Sequence, residues 1–148
     1  MPNYLTEGNR AWEAILTAHA TLMRELAAEP VWREHDVSMR EYDVLYTLAK
    51  CPNGAPARIG ELREGVLLSQ PALSRMVDRL VGRGLVERTA DPDDGRAVRV
   101  QLTEAGAELQ RRVGRAHARS VGAAMSRVLS REEMAMIEEL ARKLVTEA

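Results

Sequence analysis

The chain has no phenylalanine, and its five other aromatic residues, Tyr4, Trp12, Trp32, Tyr42 and Tyr46, all lie in the first third. The second half must therefore build its core from aliphatic side chains. Cys51 is the single cysteine, which excludes an intramolecular disulfide and suits a reducing compartment. No apolar run reaches the length of a membrane span. The first ten residues, MPNYLTEGNR, hold neither an apolar stretch nor a lysine cluster, so no export signal is expected. The expected location is the cytoplasm. His19, His35 and His117 stand at no metal-ligand spacing from one another or from Cys51. Phosphate loops, Gly-x-Ser-x-Gly elements and dinucleotide fingerprints are absent too. These absences argue against an enzyme and imply no metal and no cofactor.

A strong charge of either sign is also lacking. The 21 Lys/Arg and 22 Asp/Glu leave a net charge of −1, which does not favour non-specific binding to nucleic acid. The distribution is uneven. Residues 1–57 hold five basic and eight acidic side chains, whereas residues 58–99 hold eight arginines against seven acids. A basic patch on one face remains possible. At 148 residues, one domain, or one domain plus an oligomerisation element, is the expected size class.

The most informative stretch runs from Ser69 to Leu102. Ser69 is a good N-cap, because its hydroxyl accepts a hydrogen bond from an orphan N–H of the first turn, and Pro71 follows where a missing N–H costs nothing. Leu73, Met76, Val77, Leu80 and Val81 fall at helical spacing. Gln70, Ser74, Arg75, Asp78 and Arg79 occupy the other face. Gly84 tolerates the positive φ that ends such a helix. The period then changes: Leu85 to Thr89 suits a strand, 91–95 (DPDDG) is dense in turn formers, and Val98, Val100 and Leu102 alternate with Arg99 and Gln101 as a half-buried strand does. A polar-faced helix followed by a hairpin with arginine at its tip is the layout of a winged helix-turn-helix. Its helix can enter a major groove, and its hairpin can reach the minor groove or backbone.

The rest of the chain reads as helices. Trp12, Ile15, Leu16, His19, Leu22, Met23 and Leu26 mark one over Ala11 to Ala28, with Thr6 or Asn9 as candidate caps, interrupted by Glu29-Pro30. Ser38 and Glu41 form a capping-box pattern opening a helix that carries Tyr42, Leu45, Tyr46 and Leu48. Residues 52–56 (PNGAP) stop it. A short strand-like lead-in and a short helix follow over Arg58 to Val66, and Leu67 and Leu68 complete the turn into Ser69. Thr103 opens a long helix to about Leu129, with Ala105, Leu109, Val113, Ala116 or His117, Ala124 and Val128 inside. Ser130 and Glu133 make a second capping box before a last helix with Met134, Ile137, Leu140, Ala141, Leu144 and Val145 in register. Long outer helices of this kind leave apolar stripes bare in a monomer, and a helical dimer would cover them.

Residues 69–106, from SQPALSRMVDRLVGRGLVER through the wing to LTEAG, resemble the MarR family of transcriptional regulators. The matching features are the recognition helix, its Gly-Leu-Val-Glu-Arg exit, the Asp-x-Arg wing (Asp94, Gly95, Arg96) and the Leu-Thr-x-x-Gly start of the next helix (Leu102, Thr103, Gly106). Many members carry arginine where Gly95 stands here. The resemblance implies a mainly α fold with a small β-hairpin wing in one domain of 1–148. The winged helix-turn-helix covers about 38–102, and helices over 6–28 and 103–148 make a homodimer. It implies a regulator, here expected to be a repressor, that binds a pseudo-palindromic operator in double-stranded DNA and is relieved by a small aromatic or phenolic effector.

The expected DNA-binding residues are Ser69, Gln70, Ser74, Arg75, Arg79, Asp94, Arg96 and Arg99. Gln70, Ser74 and Arg75 are expected to read bases, since Gln pairs with adenine and Arg with guanine. Arg79 is expected on a phosphate or an internal carboxylate. Arg96 is expected in the minor groove, with Asp94 holding its guanidinium in a bidentate pair. Trp12, His19, Tyr42, Tyr46 and His117 are candidate effector contacts, although core or interface packing is the simpler explanation of each one taken singly. Two other readings stand beside this one: a winged helix used only for protein contact, and a regulator that senses oxidants through Cys51. Family members that sense peroxide carry their cysteine near the first helix, whereas Cys51 follows the second.

Overall fold

The computed structural model describes residues 4–64, 66 and 68–146. In chain order the elements are α1 (Tyr4–Ala27), α2 (Val31–Glu34), α3 (Met39–Ala49), a 3-10 turn (Pro52–Gly54), β1 (Ala57–Arg58), α4 (Ile59–Leu62), α5 (Gln70–Gly82), β2 (Val86–Ala90), β3 (Val98–Leu102), α6 (Glu104–Ser126) and α7 (Arg131–Thr146). Contacts group them into two compact units. One holds residues 29–116, and the other joins the segment up to Ala28 with the segment from His117 on. The unit that contains the winged helix-turn-helix is thus wider than 38–102, because it takes in α2 and the first half of α6.

In that unit the core is mainly aliphatic, with Trp32 and Tyr42 as its buried aromatic residues. Val44, Leu45 and Leu48 of α3, Leu62 of α4, Leu73, Val77 and Leu80 of α5, Val86 and Val100 of the sheet and Val113 of α6 are fully buried. Each contributes about 1.5–3 kcal/mol on leaving water. The stripe expected on α5 is inside, with Met76 buried and Val81 half-buried. The hairpin is part of a three-stranded sheet. β1 pairs antiparallel with β3, Ala57 opposite Val100 and Arg58 opposite Arg99. β2 pairs antiparallel with β3, from Val86 opposite Leu102 to Ala90 opposite Val98.

The caps follow the sequence in part. Ser38 accepts the N–H of Glu41 at 3.0 Å, but the carboxylate of Glu41 accepts from Arg83 at 3.1 Å rather than closing the box. The box at Ser130 and Glu133 is complete, with both arms made at 3.1 and 2.7 Å. Thr6 and Asn9 are not caps. They lie inside α1, which already runs from Tyr4, because the lone Gly8 costs a helix only about 1 kcal/mol and does not break it. α6 stops at Ser126, so Val128 lies beyond its inner face and is exposed. Ala105 is exposed as well, and Gly106 is the buried residue of that turn. The turn through Leu67 lies outside the described residues.

One junction explains the Leu-Thr-x-x-Gly pattern. Gly84, at φ 72°, turns the chain out of α5. The Thr103 hydroxyl donates to the Gly84 carbonyl at 2.7 Å and accepts from the Gly106 N–H at 3.0 Å. The Thr103 N–H donates to the Leu85 carbonyl at 3.1 Å. One side chain therefore both caps α6 and anchors it to the exit of α5. At Gly106 the helix lies against the Leu85 backbone, where a Cβ would stand 1.9 Å from the carbonyl oxygen.

In the unit formed by the two ends of the chain, Arg127 grips Glu25 of α1 through two parallel hydrogen bonds of 2.9 and 3.1 Å. That bond to Arg127 lowers the Glu25 pKa and raises that of Arg127. Apolar side chains stay exposed on α1 (Tyr4, Leu5, Trp12, Ile15 and Leu16) and on α7 (Met136, Ile137, Leu140, Leu144 and Val145).

Candidate nucleic-acid interface

Ser69 caps α5 as the sequence indicates, accepting the Ala72 N–H at 3.3 Å from an extended backbone. The cap leaves the first turn facing outward, with Ser69, Gln70 and Pro71 exposed. Arg75 and Arg79 are exposed on the same helix, and Ser74 is half-buried. Neither Arg75 nor Arg79 has a carboxylate partner among the described residues. By contrast, Asp78 is engaged by Arg88, which ties α5 to β2. Arg83 reaches Glu41 of α3. The helix is thus held by its acidic and C-terminal residues while the guanidiniums of Arg75 and Arg79 stay available.

At the wing, Asp94 does not hold the Arg96 guanidinium. Its carboxylate accepts the backbone N–H of Arg96 at 3.0 Å, the local turn an Asp side chain makes two residues on. The Arg96 side chain is exposed and, among the described residues, has no carboxylate partner. Asp94 therefore shapes the turn that presents Arg96 and leaves its charge unneutralised.

Arg99 is placed differently from the other arginines. Its guanidinium donates to Asp91, with Nε at 3.1 Å and the second nitrogen at 3.5 Å. Arg58, opposite Arg99 across the ladder, donates Nε to the same carboxylate at 2.7 Å. Asp91 is 3% exposed and also accepts the Asp93 N–H at 2.9 Å. The Asp93 N–H, then Arg99 and then Arg58 push its pKa well below the usual carboxylate range, against the opposing effect of burial. The bond to Asp91 raises the pKa of Arg99 in turn. Sequence reasoning missed Asp91 and Arg58. Asp91 reads there as one more turn former, and only the strand register brings Arg58 opposite Arg99.

This carries a pH prediction. A carboxylate depressed on folding adds stability that is complete above its unfolded pKa, near 3.8, and is lost as pH falls toward the folded value. The stability difference between wild type and Asp91→Asn is therefore expected to be flat from about pH 8 down to pH 5 and to shrink below about pH 4. Urea melts across that range check it, and a difference that shrinks between pH 8 and 6 would contradict it.

The effector candidates fall in both units. Trp12, His19 and His117 belong to the unit formed by the two chain ends, and Tyr42 and Tyr46 to the other. Tyr42 is 6% exposed and packs between Trp32 and Tyr46, with ring centroids 5.8 and 5.9 Å away. Burial raises its pKa, against a hydrogen bond with Gln110. Tyr42 is thus a core residue with its hydroxyl engaged. Tyr46 is 44% exposed and carries the Lys50 ammonium 4.6 Å above its ring. Trp12 is 58% exposed. Cys51 is half-buried, its thiol directed at the Thr47 carbonyl 3.7 Å away, while its basic neighbour Lys50 sits over Tyr46. Among the described residues, no group of acids, histidines and cysteine is arranged to hold a metal ion, and no helix is long and apolar enough to cross a membrane.

The arrangement has known relatives. The family model described as MarR family matches residues 35–97. The multiple antibiotic resistance protein MarR of Escherichia coli (strain K12) is 30% identical over 110 residues, which is 74% of each chain. The chain belongs to the MarR family. Curated relatives in this family are named as transcriptional regulators, and the protein is a winged-helix regulator rather than an enzyme. Among solved structures, a mutant E. coli MarR complexed with operator DNA superposes with a TM-score of 0.77 at 26% identity, covering 97% of this chain and 99% of that one. NadR in complex with 4-hydroxyphenylacetate gives 0.72 at 25% identity, covering 90% of each.

Proposed function

We propose that this MarR-family chain is a cytoplasmic homodimeric repressor that reads a pseudo-palindromic operator and releases it on binding a small aromatic or phenolic acid. The observation that carries the DNA reading is the placement, on one compact unit, of three guanidiniums without a carboxylate partner among the described residues: Arg75 and Arg79 on the exposed face of α5, and Arg96 on the wing. A near-neutral chain that keeps these charges unpaired keeps them for an anionic partner. In this reading Gln70, Ser74 and Arg75 meet base edges in the major groove. Ser69 and Arg79 meet phosphates, and Arg96 enters the minor groove. Asp94 and Arg99 act indirectly, through the wing turn and through Asp91. The E. coli MarR structure with operator DNA supports the mode of binding.

The test is selection of bound fragments from genomic DNA, followed by fluorescence anisotropy at two salt concentrations. A palindrome with half-sites about one duplex turn apart is expected, with affinity falling steeply as salt rises. Binding without a preferred site would favour the protein-contact reading. Arg96→Ala is expected to weaken binding about tenfold, the order of one lost groove contact, with an unchanged melting curve. Equal affinity would discard the wing contact.

For the effector, the NadR complex with 4-hydroxyphenylacetate supports the ligand class. Trp12, His19 and His117 in one unit and Tyr46 in the other are each proposed as effector contacts, and Tyr42 supports Tyr46 from the core. Release follows if the ligand prefers the arrangement of recognition helices that does not fit DNA, by an amount equal to the coupling free energy.

A further inference from the structure

We propose that Asp91 is a positioning residue for the wing: one buried carboxylate fixes the base of the hairpin to the start of α4 and so sets where Arg96 meets DNA. The proposal rests on the DNA-binding reading above.

The register of the sheet creates the problem that Asp91 solves. Arg58 and Arg99 stand directly opposite each other on β1 and β3, and like charges in that relation repel. The Asp91 carboxylate, with its side chain fully buried, accepts Nε of both arginines on one oxygen, at 2.7 and 3.1 Å. Its other oxygen takes the Asp93 N–H at 2.9 Å. The Asp91 N–H donates to the Ala97 carbonyl at 3.2 Å, and the Ala97 N–H to the Asp94 carbonyl at 3.0 Å. Both ends of the wing loop are thereby fastened at one point. The tie continues past the sheet. Arg58 caps α4 by donating its own N–H to the Glu61 carboxylate at 3.1 Å. A continuous path of short polar contacts thus joins the wing base to the first helix of the helix-turn-helix.

Removing the negative charge would leave two guanidiniums face to face at the foot of a hairpin whose tip carries Arg96. Asn fills the same volume but cannot neutralise them. Charged groups in a fixed, partly buried cluster have few other partners, so the strands at the wing base would move apart, and a small angular change there moves the tip. The α5 face, tied to β2 by Arg88–Asp78 and to α3 by Arg83–Glu41 rather than through Asp91, should keep its position. Asp91 would therefore affect the wing contact without altering what Gln70 and Arg75 read.

The test is a double-mutant cycle of Asp91→Asn and Arg96→Ala, read by anisotropy on the duplex recovered by genomic selection, with melting curves on all four proteins. Each single variant is expected to bind about tenfold more weakly, and the double variant no more weakly than Arg96→Ala alone, because both remove one contact. Losses that multiply in the double variant, or wild-type affinity in Asp91→Asn, overturn the proposal. If Arg96→Ala alone binds as wild type does, the reading of the wing as a DNA contact falls, and the proposal with it. Should Asp91→Asn fail to fold, Arg58→Gln carries the same cycle. It leaves Asp91 paired with Arg99, cuts the link to α4, and is expected to lose affinity only while Arg96 is present.

Discussion

Gly106→Ala is expected to lower stability by about 3 kcal/mol, at the upper end of the usual cost of overpacking. The sign is not obvious from the sequence, since alanine in a helix is worth about 1 kcal/mol over glycine. The local geometry decides it. A Cβ on Gly106 would lie 1.9 Å from the Leu85 carbonyl oxygen and 2.8 Å from its carbon, and both are backbone atoms. No side-chain rotamer can relieve such a contact. The start of α6 would have to withdraw by about 1.5 Å to restore ordinary separation. That withdrawal strains the Thr103 N–H bond to Leu85 and the Thr103 hydroxyl bond to Gly84. Net hydrogen bonds of this kind are worth about 1 kcal/mol each, so the losses outweigh the helix gain. For a chain of this length the melting temperature is expected to fall by about 10 °C. Gly82→Ala serves as the control. Nothing lies within 4 Å of its added Cβ, and it sits in the last turn of α5, so it should be neutral or slightly stabilising. Thermal and urea melts of the two variants decide the matter, and equal stability would mean that the helix can shift freely on Leu85.

The contrast between the two glycines shows what a sequence can and cannot convey. The elements of the winged module are legible because each is set by neighbours in the chain. Ser69 caps three residues ahead, the α5 stripe repeats every three or four, Gly84 turns where its φ is positive, and β3 alternates in steps of two. Gly106 belongs to a legible motif, but its reason lies in Leu85, far back in the chain, and in the close approach of two backbones. Glu41 is a similar case. Its spacing from Ser38 reads as a capping box, yet its carboxylate is claimed by Arg83 from another element. Local patterns nominate a partner, and tertiary contacts decide which one it takes.

The site follows the same rule. The exposed face of α5 was readable, since polar residues between apolar ones must face outward. The arginines were not separable by type alone. Arg75, Arg79, Arg96 and Arg99 look alike in the sequence, but three have no carboxylate partner among the described residues and the fourth is bound to Asp91. Asp91 sits among turn formers that need no further explanation, and its partners come from two strands whose pairing is not written in either. The aromatic candidates divide for a comparable reason. Tyr42 and Tyr46 lie four apart on α3, yet one is buried between rings and the other exposed, because four residues carry the helix about 40° past a full turn.

Ile137→Asp combined with Leu140→Asp is expected to convert the proposed dimer to a monomer and to lower operator affinity at least about a hundredfold, the order of the gain from holding two sites at once. α7 has no buried residue, although Ile137, Leu140 and Leu144 form one stripe at spacings of three and four. A helix of this length with a bare apolar stripe is marginal in water and draws its stability from what covers the stripe. The exposed residues of α1 add Trp12, Ile15 and Leu16 to the apolar surface. In the proposed dimer a second copy of the chain would supply a matching surface for both, and covering each large side chain is worth about 1.5–3 kcal/mol. Two aspartates in that stripe would carry charge into a dry interface, where an unpaired carboxylate is costly. In the chain by itself both positions already face water, so the substitutions should leave the core around Val44, Leu73 and Val100 intact. Separation of the subunits removes one recognition helix from each binding event, and the remaining half-site must hold the DNA alone. Arg142→Ala is the control. Its partner Glu138 lies one turn away on the same exposed helix, a pair worth about 0.3–0.5 kcal/mol, and neither mass nor affinity should change. Sedimentation equilibrium and anisotropy on the same samples read both effects. A variant that remains dimeric would remove α7 from the interface, and a monomer that binds as tightly as wild type would show that one wing and one recognition helix suffice.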